Sequence, residues 1–241
     1  MSYIKKVIKR MINSAGFSIH RLSNDSNVCY QLLKGIKRFE VDLVLDVGAN
    51  IGQFSSELRS VGFQDHLVSF EPLSKAHQEL EKAAGGDSHW TVHPRCAIGA
   101  HDGEVEINIA GNSASSSILS MMESHASAAP ESTYVSAEKV PIFKLDTVAL
   151  PYLEKARNPF LKIDTQGYEW HVLDGASAIV PRMRGVLCEL SLVPLYEGQR
   201  LWLEIIQRLE HEGFTLWSIQ MGFADPRDGR TLQVDAIFFR M

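Results

Sequence analysis

From residue 41 onward, short apolar runs alternate with turns and with segments of helical periodicity. The apolar runs lie at residues 41–45, 67–70, 160–163 and 185–188. Strands that alternate with helices are typical of a parallel sheet with helices on both faces. The sequence therefore predicts an α/β fold with a doubly wound, mainly parallel sheet.

Several segments depart from this alternation. Residues 214–219 and 234–239 are two strand patterns joined by a turn-rich connection, so they predict an antiparallel pair and a mixed edge of the sheet. A third strand is predicted from Trp90 to Ala97, and an extra strand over residues 104–109. Residues 110–139 are rich in Ser and Ala, and we interpret them as a long irregular loop or lid.

Charge divides the chain into two parts. Residues 1–40 contain eight Lys and Arg residues and two acids, a net charge of +6, whereas the whole chain of 241 residues carries −5. We predict a basic N-terminal helical segment over residues 1–40 and one acidic domain over residues 41–241. The acidic domain argues against nucleic acid as a partner, because phosphate binding needs clustered positive charge.

The composition also indicates the compartment. The three cysteines form no CxxC pair, which argues against a disulfide framework and a zinc site. No stretch approaches the ~20 apolar residues of a membrane-spanning helix, and no secretory signal follows the basic N-terminus. We therefore expect a cytoplasmic protein.

Residues 3–13 combine apolar residues at helical spacing with four basic residues on the opposite face. Such a helix can lie on an anionic membrane, which would place the protein peripherally at the inner membrane surface. The alternative is that its apolar stripe packs on the domain or on a partner subunit.

The first predicted strand ends in a turn that contains two glycines, Asp46-Val-Gly-Ala-Asn-Ile-Gly52. In doubly wound sheets, ligands bind beyond the carboxyl ends of the strands. Gly48 and Gly52 allow a tight turn and a close approach to a ligand, and the following helix offers free N–H groups to a carboxylate. The turn lacks the G-x-G-x-x-G pattern of dinucleotide folds. Asp46 disfavours a pyrophosphate and suits a positive amino or sulfonium group.

Glu71 ends the second predicted strand. A carboxylate at this position can accept hydrogen bonds from both hydroxyls of a ribose. Taken alone, the glycine-containing turn can be only a tight connection between a strand and a helix. Glu71, taken alone, can be an ordinary solvated acid in a loop. Their place at the ends of consecutive strands favours an adenosyl ligand.

Two further carboxylates follow the fourth and fifth buried strands. Asp164 leaves the strand at residues 160–163, and Glu189 ends the next strand. A sulfonium nucleoside can give up its methyl group by in-line displacement at that carbon. A hydroxyl group that attacks this methyl group is a poor nucleophile, so a base within hydrogen-bond reach helps. Asp164 is the first candidate for this base and Glu189 the second. Two alternatives stay open: the two carboxylates bind Mg²⁺, or they only orient the cofactor and cap loops. Glu169, in the first turn of the next helix, is structural at least as readily as catalytic.

Taken in order, these blocks resemble the FkbM family of S-adenosylmethionine-dependent O-methyltransferases. The likeness covers about residues 41–240. It rests on Leu45–Gly52, Phe70–Pro72, Leu161–Glu169 with Val172–Ala176, Glu189–Ser191 and Pro194–Gln199.

The resemblance implies a seven-stranded, Rossmann-like methyltransferase sheet and the cofactor S-adenosylmethionine. It implies a methyl-donor site formed by Asp46, Gly48, Ala49, Asn50, Gly52 and Glu71. It also implies hydroxyl acceptors, often on sugars of glycolipids, lipo-oligosaccharides or polyketides, and the chain is similar to members that act on deoxysugars such as fucose or rhamnose. Asn50 stands where the wider pattern Asp-x-Gly-x-Gly has its second glycine, which leaves the backbone geometry near the methionine moiety open.

The acceptor pocket is predicted to be built from residues 110–139 and 192–200. Two other functions remain as alternatives. A nicotinamide-dependent oxidoreductase needs a third glycine that the turn does not offer. A non-catalytic adenosyl-binding protein gains support if Asp164 and Glu189 face away from the cleft.

Low-salt liposome flotation tests the N-terminal segment. If residues 3–13 bind the membrane, the intact protein floats with anionic vesicles and a version lacking residues 1–20 stays behind, because the basic and apolar faces are lost together. Equal behaviour of the two proteins would contradict membrane binding.

Overall fold

A computed structural model describes residues 28–241. Its α-helices are α1 Val28–Arg38, α2 Gln53–Ser60, α3 Ser74–Ala84, α4 Glu123–Ala128, α5 Leu145–Val148, α6 Leu150–Leu153, α7 Glu169–Asp174 and α8 Trp202–His211. Its strands are β1 Leu43–Val47, β2 His66–Phe70, β3 Trp90–Val92, β4 Ala97–Ile98, β5 Gly103–Ala110, β6 Tyr134–Phe143, β7 Pro159–Ile163, β8 Gly185–Ser191, β9 Thr215–Met221 and β10 Gln233–Phe239.

Seven strands form the main sheet in the order β3-β2-β1-β7-β8-β10-β9. β1 pairs in parallel with both β2 and β7, and β7 pairs in parallel with β8. The chain therefore builds the sheet first to one side of β1 and then to the other. This makes the β1–β7 boundary the switch point at which such sheets bind ligands. The predicted doubly wound, mainly parallel α/β fold is confirmed.

The last two strands form the antiparallel edge that the sequence predicted. β10 runs antiparallel to both of its neighbours, β8 and β9, and lies between them. The register places Asp235 of β10 opposite Glu189 of β8. Because directly paired residues point to the same face of a sheet, these two carboxylates lie on one face.

Both faces of the main sheet are covered by apolar side chains, which explains the continuous apolar runs of β1, β7 and β8. Alternate residues of a strand contribute to opposite faces: Leu45 packs in the cluster that includes α8, and Val44 packs in the cluster that includes α1. α1 contributes Leu32, Leu33 and Ile36 to this second cluster. The part of residues 1–40 that the structure describes is thus helical and packs on the sheet.

A second sheet of three strands, in the order β4-β6-β5, was not predicted. It packs against α3 and the start of α7 through an apolar cluster that includes Ile107, Ile142 and Tyr168. The prediction of one strand from Trp90 to Ala97 was wrong, because Pro94 lies between β3 and β4 and cannot donate to a ladder. Residues 134–139, predicted as loop, belong to β6.

The predicted amphipathic helix at residues 3–13 lies outside the described residues. Within residues 28–241, no helix is long and apolar enough to cross a membrane. Cys29, Cys96 and Cys188 are buried and free of disulfides.

The second sheet meets α7 at a contact between two glycines. A Cβ atom on Gly175 would lie 1.9 Å from the carbonyl oxygen of Gly99, although the φ angle of Gly175, −79°, suits any residue. Gly175→Ala is therefore expected to lower the free energy of unfolding by about 3 kcal/mol through overlap alone, as measured by urea unfolding.

The matched control for this substitution is Gly62→Ala. A Cβ atom there meets nothing within 4 Å, but φ is +107°, so this variant measures backbone strain without overlap, about 1–2 kcal/mol. A loss for Gly175→Ala no larger than that of the control would argue against a tight contact with Gly99.

Candidate functional site

A cavity of about 380 Å³ opens at the carboxyl ends of β1, β2 and β7, and its volume is typical of small-molecule sites. Its wall combines the turn after β1, the end of β2 and the turn after β7. The second sheet adds apolar surface from Ala97, Ile98 and Ile107. The two groups of residues that the sequence placed after separate strands thus meet in one cavity.

The predicted site residues divide into two sets. The residues that line the cavity are Gly48, Ala49, Asn50, Glu71 and Asp164. The other three, Asp46, Gly52 and Glu189, do not line it, so any effect that they have on a ligand is transmitted through neighbouring groups.

Gly48 allows two turns to touch. Its φ angle is +76°, and a Cβ atom on it would lie 1.8 Å from the carbonyl oxygen of Asp164. The turn after β1 and the turn after β7 therefore approach each other as closely as backbone atoms permit. This packing reason for glycine stands beside the predicted approach to a ligand.

Gly52 begins α2. Its φ angle is +88°, and a Cβ atom there would lie within 3.1 Å of Leu80 and Trp90. As the N-cap it has no side chain to satisfy the N–H groups of the first turn. Gln53 and Phe54 of that turn line the cavity, so the positive end of α2 faces the site.

A buried ion pair joins the ends of β1 and β7. Lys162 Nζ lies 2.9 Å from Asp46 Oδ1 and 3.6 Å from Asp164 Oδ2, and it donates to the carbonyl oxygen of Gly48 at 2.8 Å. Burial alone lowers the pKa of Lys162, but the carboxylates of Asp46 and Asp164 outweigh it and raise the pKa above its ordinary value. The charge of Asp46, which is fully buried, is therefore compensated within the protein.

Glu71 holds the turn after β1 in place. Its two carboxylate oxygens accept the backbone N–H groups of Asn50 and Leu73, each at 2.9 Å. Burial raises the pKa of Glu71 to about 7, despite these hydrogen bonds. Asn50 adopts a left-handed conformation with φ of 48°. Each oxygen of Glu71 keeps a second lone pair for a ligand.

The two predicted base candidates are linked by Gln166. Its Nε2 donates to Asp164 Oδ1 at 2.9 Å and to Glu189 Oε2 at 2.8 Å. Glu189 also accepts from Gln233 Nε2 at 2.8 Å. Burial, followed by the negative charges of Asp164 and Glu169, raises the pKa of Glu189 well above its usual range. Asp164 is half-exposed at the cavity, whereas Glu189 lies behind it in surroundings that favour its protonated form.

Glu169 stabilises the turn between β7 and α7. Its Oε1 accepts the backbone N–H and the hydroxyl of Thr165, at 3.0 and 3.2 Å, and the N–H of Gly167 at 3.1 Å. The turn needs this support because Gln166 and Gly167 have φ angles of 54° and 94°. The contacts of Glu169 are those of the structural role that the sequence left open.

Residues 113–118 cover the cavity, and the segment that follows is attached to the predicted acceptor loop 192–200. The N–H of Met122 donates to the carbonyl of Leu195 at 2.9 Å, and that of Glu197 to the carbonyl of Ser120 at 2.8 Å. The segment directly after the cavity lining is thus bonded to the second loop, whereas residues 192–200 do not line the cavity.

Three residues that line the cavity were not predicted from the sequence: Lys162, Gln166 and Asp235. A lysine inside an apolar strand was a usable signal, because a buried charge needs a partner. Gln166 gave no signal, since its partner Glu189 is distant along the chain. Asp235 lines the cavity, and burial together with Asp164 raises its pKa to about 6.

The Mg²⁺ alternative lacks a ligand set in the described chain. Among residues 28–241, no three His, Cys, Asp or Glu side chains are grouped so that they could hold a metal ion. The carboxylates of Asp164 and Glu189 are instead occupied by the side-chain amides of Gln166 and Gln233.

A family model described as "Methyltransferase FkbM domain" matches residues 46–216. No curated protein matches the chain significantly. Among solved structures, the chain is similar to a candidate O-methyltransferase from Klebsiella pneumoniae, with 11% identity, a TM-score of 0.47, and coverage of 100% of this chain and 90% of that chain.

Two further solved structures show the same level of similarity. One is a candidate caffeoyl-CoA O-methyltransferase from Staphylococcus aureus, with 11% identity, a TM-score of 0.47, and coverage of 100% and 93% of the two chains. The other is the magnesium protoporphyrin IX methyltransferase from Synechocystis PCC 6803 with bound SAM, with 12% identity, a TM-score of 0.44, and coverage of 100% and 99%.

The buried carboxyl of Glu169 makes stability depend on pH. Burial raises its pKa from 4.5 to about 7, so the folded state holds this proton more tightly than the unfolded state. The stability gained from this bound proton is complete below pH 4.5, the pKa in the unfolded chain, and is lost as the pH rises to about 7, the pKa in the folded state. Glu169→Gln keeps an acceptor oxygen for Thr165 and Gly167 and removes this loss, which is roughly 3 kcal/mol at most.

Urea unfolding of wild type and Glu169→Gln across pH 4–8 measures this effect. We expect the wild type to lose stability relative to the variant between pH 4.5 and 7. Glu210→Gln, at an exposed position on α8, is the matched control and should follow the wild type. A constant difference between wild type and Glu169→Gln across the range would show that Glu169 does not retain its proton.

Proposed function

Because the chain belongs to the FkbM methyltransferase family, we propose that it transfers the methyl group of S-adenosylmethionine to a hydroxyl group of a sugar. The main support is the single cavity at the switch point of the sheet. Gly48, Glu71 and Asp164 all line it, so the predicted donor residues and the predicted base share one space.

The residues around the cavity suit each part of S-adenosylmethionine. The first turn of α2 offers backbone N–H groups and a positive dipole to the methionine carboxylate. Glu71 retains lone pairs for the ribose hydroxyls. The apolar wall of Ala97, Ile98 and Ile107 suits the adenine ring. These three features support S-adenosylmethionine as the donor.

S-adenosylmethionine, when bound, supplies an electrophilic methyl group on its sulfonium. Asp164 is half-exposed at the cavity and is proposed to accept the proton of the attacking hydroxyl, a contribution of about 10²–10⁴ in rate. Lys162 lies against the second oxygen of Asp164 at 3.6 Å and limits the movement of the carboxylate. Orientation of the acceptor by the surrounding wall can contribute about 7–11 kcal/mol more.

The charges of the site favour a neutral acceptor rich in hydroxyl groups. Asp164 and Asp235 both line the cavity, and their negative charges would repel a phosphate or carboxylate close to the reacting oxygen. Sugar hydroxyls can instead donate hydrogen bonds to these groups. This supports a neutral sugar as the acceptor, for which we propose a fucosyl or rhamnosyl unit of a glycolipid or lipo-oligosaccharide, with residues 3–13 approaching an anionic lipid surface.

The nicotinamide-dependent alternative is not favoured by the family, and the turn carries Asn50 instead of a further glycine.

Titration calorimetry with S-adenosylmethionine, S-adenosylhomocysteine and NAD distinguishes methyl transfer from nicotinamide-dependent oxidoreduction. Labelled methyl donor incubated with a panel of glycolipid extracts, followed by mass spectrometry of the sugars, then identifies the acceptor. Binding of NAD without either adenosyl compound would overturn the proposal.

Asp164→Asn tests the base. The substitution keeps the shape of the side chain but removes its ability to take a proton, so turnover should fall by about 10²–10⁴. Binding of S-adenosylhomocysteine, measured by calorimetry, should change by less than about threefold.

Asp65→Asn, at an exposed position before β2, is the control and should keep wild-type turnover. Near-normal turnover of Asp164→Asn would exclude Asp164 as the base and turn attention to Glu189.

A further inference from the structure

We infer that Gln166 is a positioning residue, whose side-chain amide holds Asp164 in its reacting orientation by spanning the two carboxylates. The inference rests on the proposed methyl transfer, in which Asp164 takes the proton. It assigns a role to a residue that touches both base candidates and supplies no proton acceptor of its own.

The orientation of the Gln166 amide follows from its partners. Carboxylates accept hydrogen bonds, so the NH₂ group must face Asp164 Oδ1 at 2.9 Å and Glu189 Oε2 at 2.8 Å. An NH₂ group has two hydrogens, one for each carboxylate. The amide oxygen then faces the hydroxyl of Tyr196, which donates to it at 2.8 Å. Every polar atom of the Gln166 side chain is thereby engaged.

The backbone at Gln166 is held as firmly as its side chain. Ser117 Oγ donates to its carbonyl oxygen at 2.7 Å, and the residue has a φ angle of 54°. The next residue, Gly167, packs so tightly on Tyr196 that a Cβ atom would lie 2.9 Å from the ring. Because Tyr196 is fully buried, the amide projects from a rigid support.

A neutral amide is suited to a place between two acids. It donates to Asp164 Oδ1 and to Glu189 Oε2 without adding charge, so it holds the two side chains together and leaves Asp164 able to accept a proton. An acid at this position would add a third negative charge. An aliphatic side chain would remove the Gln166 donor from Asp164 Oδ1 and leave Glu189 Oε2 with the amide of Gln233 alone. The hydrogen bond from Gln166 also acts to lower the pKa of Glu189 against the effect of burial.

The test uses Gln166→Met, which keeps the length of the side chain and removes both donors, and Tyr196→Phe, which frees the amide to rotate. Gln207→Met, at an exposed position on α8, is the matched control. Titrations of the carboxyl groups followed by ¹³C NMR report on the hydrogen bonds from Gln166 to Asp164 and Glu189, and they need no methyl acceptor. The Glu189 signal is assigned by its absence in Glu189→Gln. We expect the Glu189 midpoint to rise by about half a pH unit or more in Gln166→Met and to remain at the wild-type value in the control.

Steady-state kinetics then test the link to catalysis. In Gln166→Met, kcat should fall by about tenfold or more, with the KM values for donor and acceptor changed by less than about threefold. Tyr196→Phe should lose less, and the double variant should be no slower than Gln166→Met, because both changes act on one amide. Should Gln166→Met not fold, Tyr196→Phe alone should still raise the Glu189 midpoint and lower kcat.

An unchanged Glu189 midpoint together with an unchanged kcat in the folded variants would overturn the inference, as would losses that multiply in the double variant. Failure of the proposed function gives a different result. In that case the wild type itself does not bind S-adenosylhomocysteine in calorimetry and transfers no label, whatever the titrations of the variants show.

Discussion

The buried ammonium group of Lys162 is the interaction on which the site depends. It contacts the carboxylate of Asp46, the carbonyl of Gly48 and the carboxylate of Asp164, which belong to two neighbouring strands and the turns that leave them. A buried pair of this kind gains little over apolar packing, but loss of one partner typically costs about 3–5 kcal/mol, because a charge stays behind. The shape of the cavity is therefore tied to the integrity of the sheet beneath it.

The main sheet was predictable because its central strands are apolar on both faces. The predicted runs at residues 67–70, 160–163 and 185–188 fall within β2, β7 and β8. The second sheet was not predictable from the same signal. The first half of β6 is largely exposed, so its residues lack the apolar alternation that marks a half-buried strand. Its pairing with β5 depends on a long connection that the sequence does not specify locally.

Within the site, the sequence indicated where carboxylates and glycines would gather but not what they would touch. Asp46 suited a positive ligand, yet the positive group beside it is Lys162 of the next strand. Gly48 suited a close approach to a ligand, and the closest atom found is the carbonyl oxygen of Asp164. Such contacts join residues that are more than 100 positions apart, and only the strand order brings them together.

The strand order has a consequence for synthesis of the chain. β10 lies between β8 and β9, although it follows both in sequence, so β9 leaves the ribosome before the strand with which it pairs. Until β10 arrives, the apolar edge of β8 is bare and β9 has no neighbouring strand to pair with. Bare edges of this type recruit other nascent chains. The yield of native protein should thus depend on how quickly β10 inserts, and chaperones that delay contacts between chains should help most during that interval.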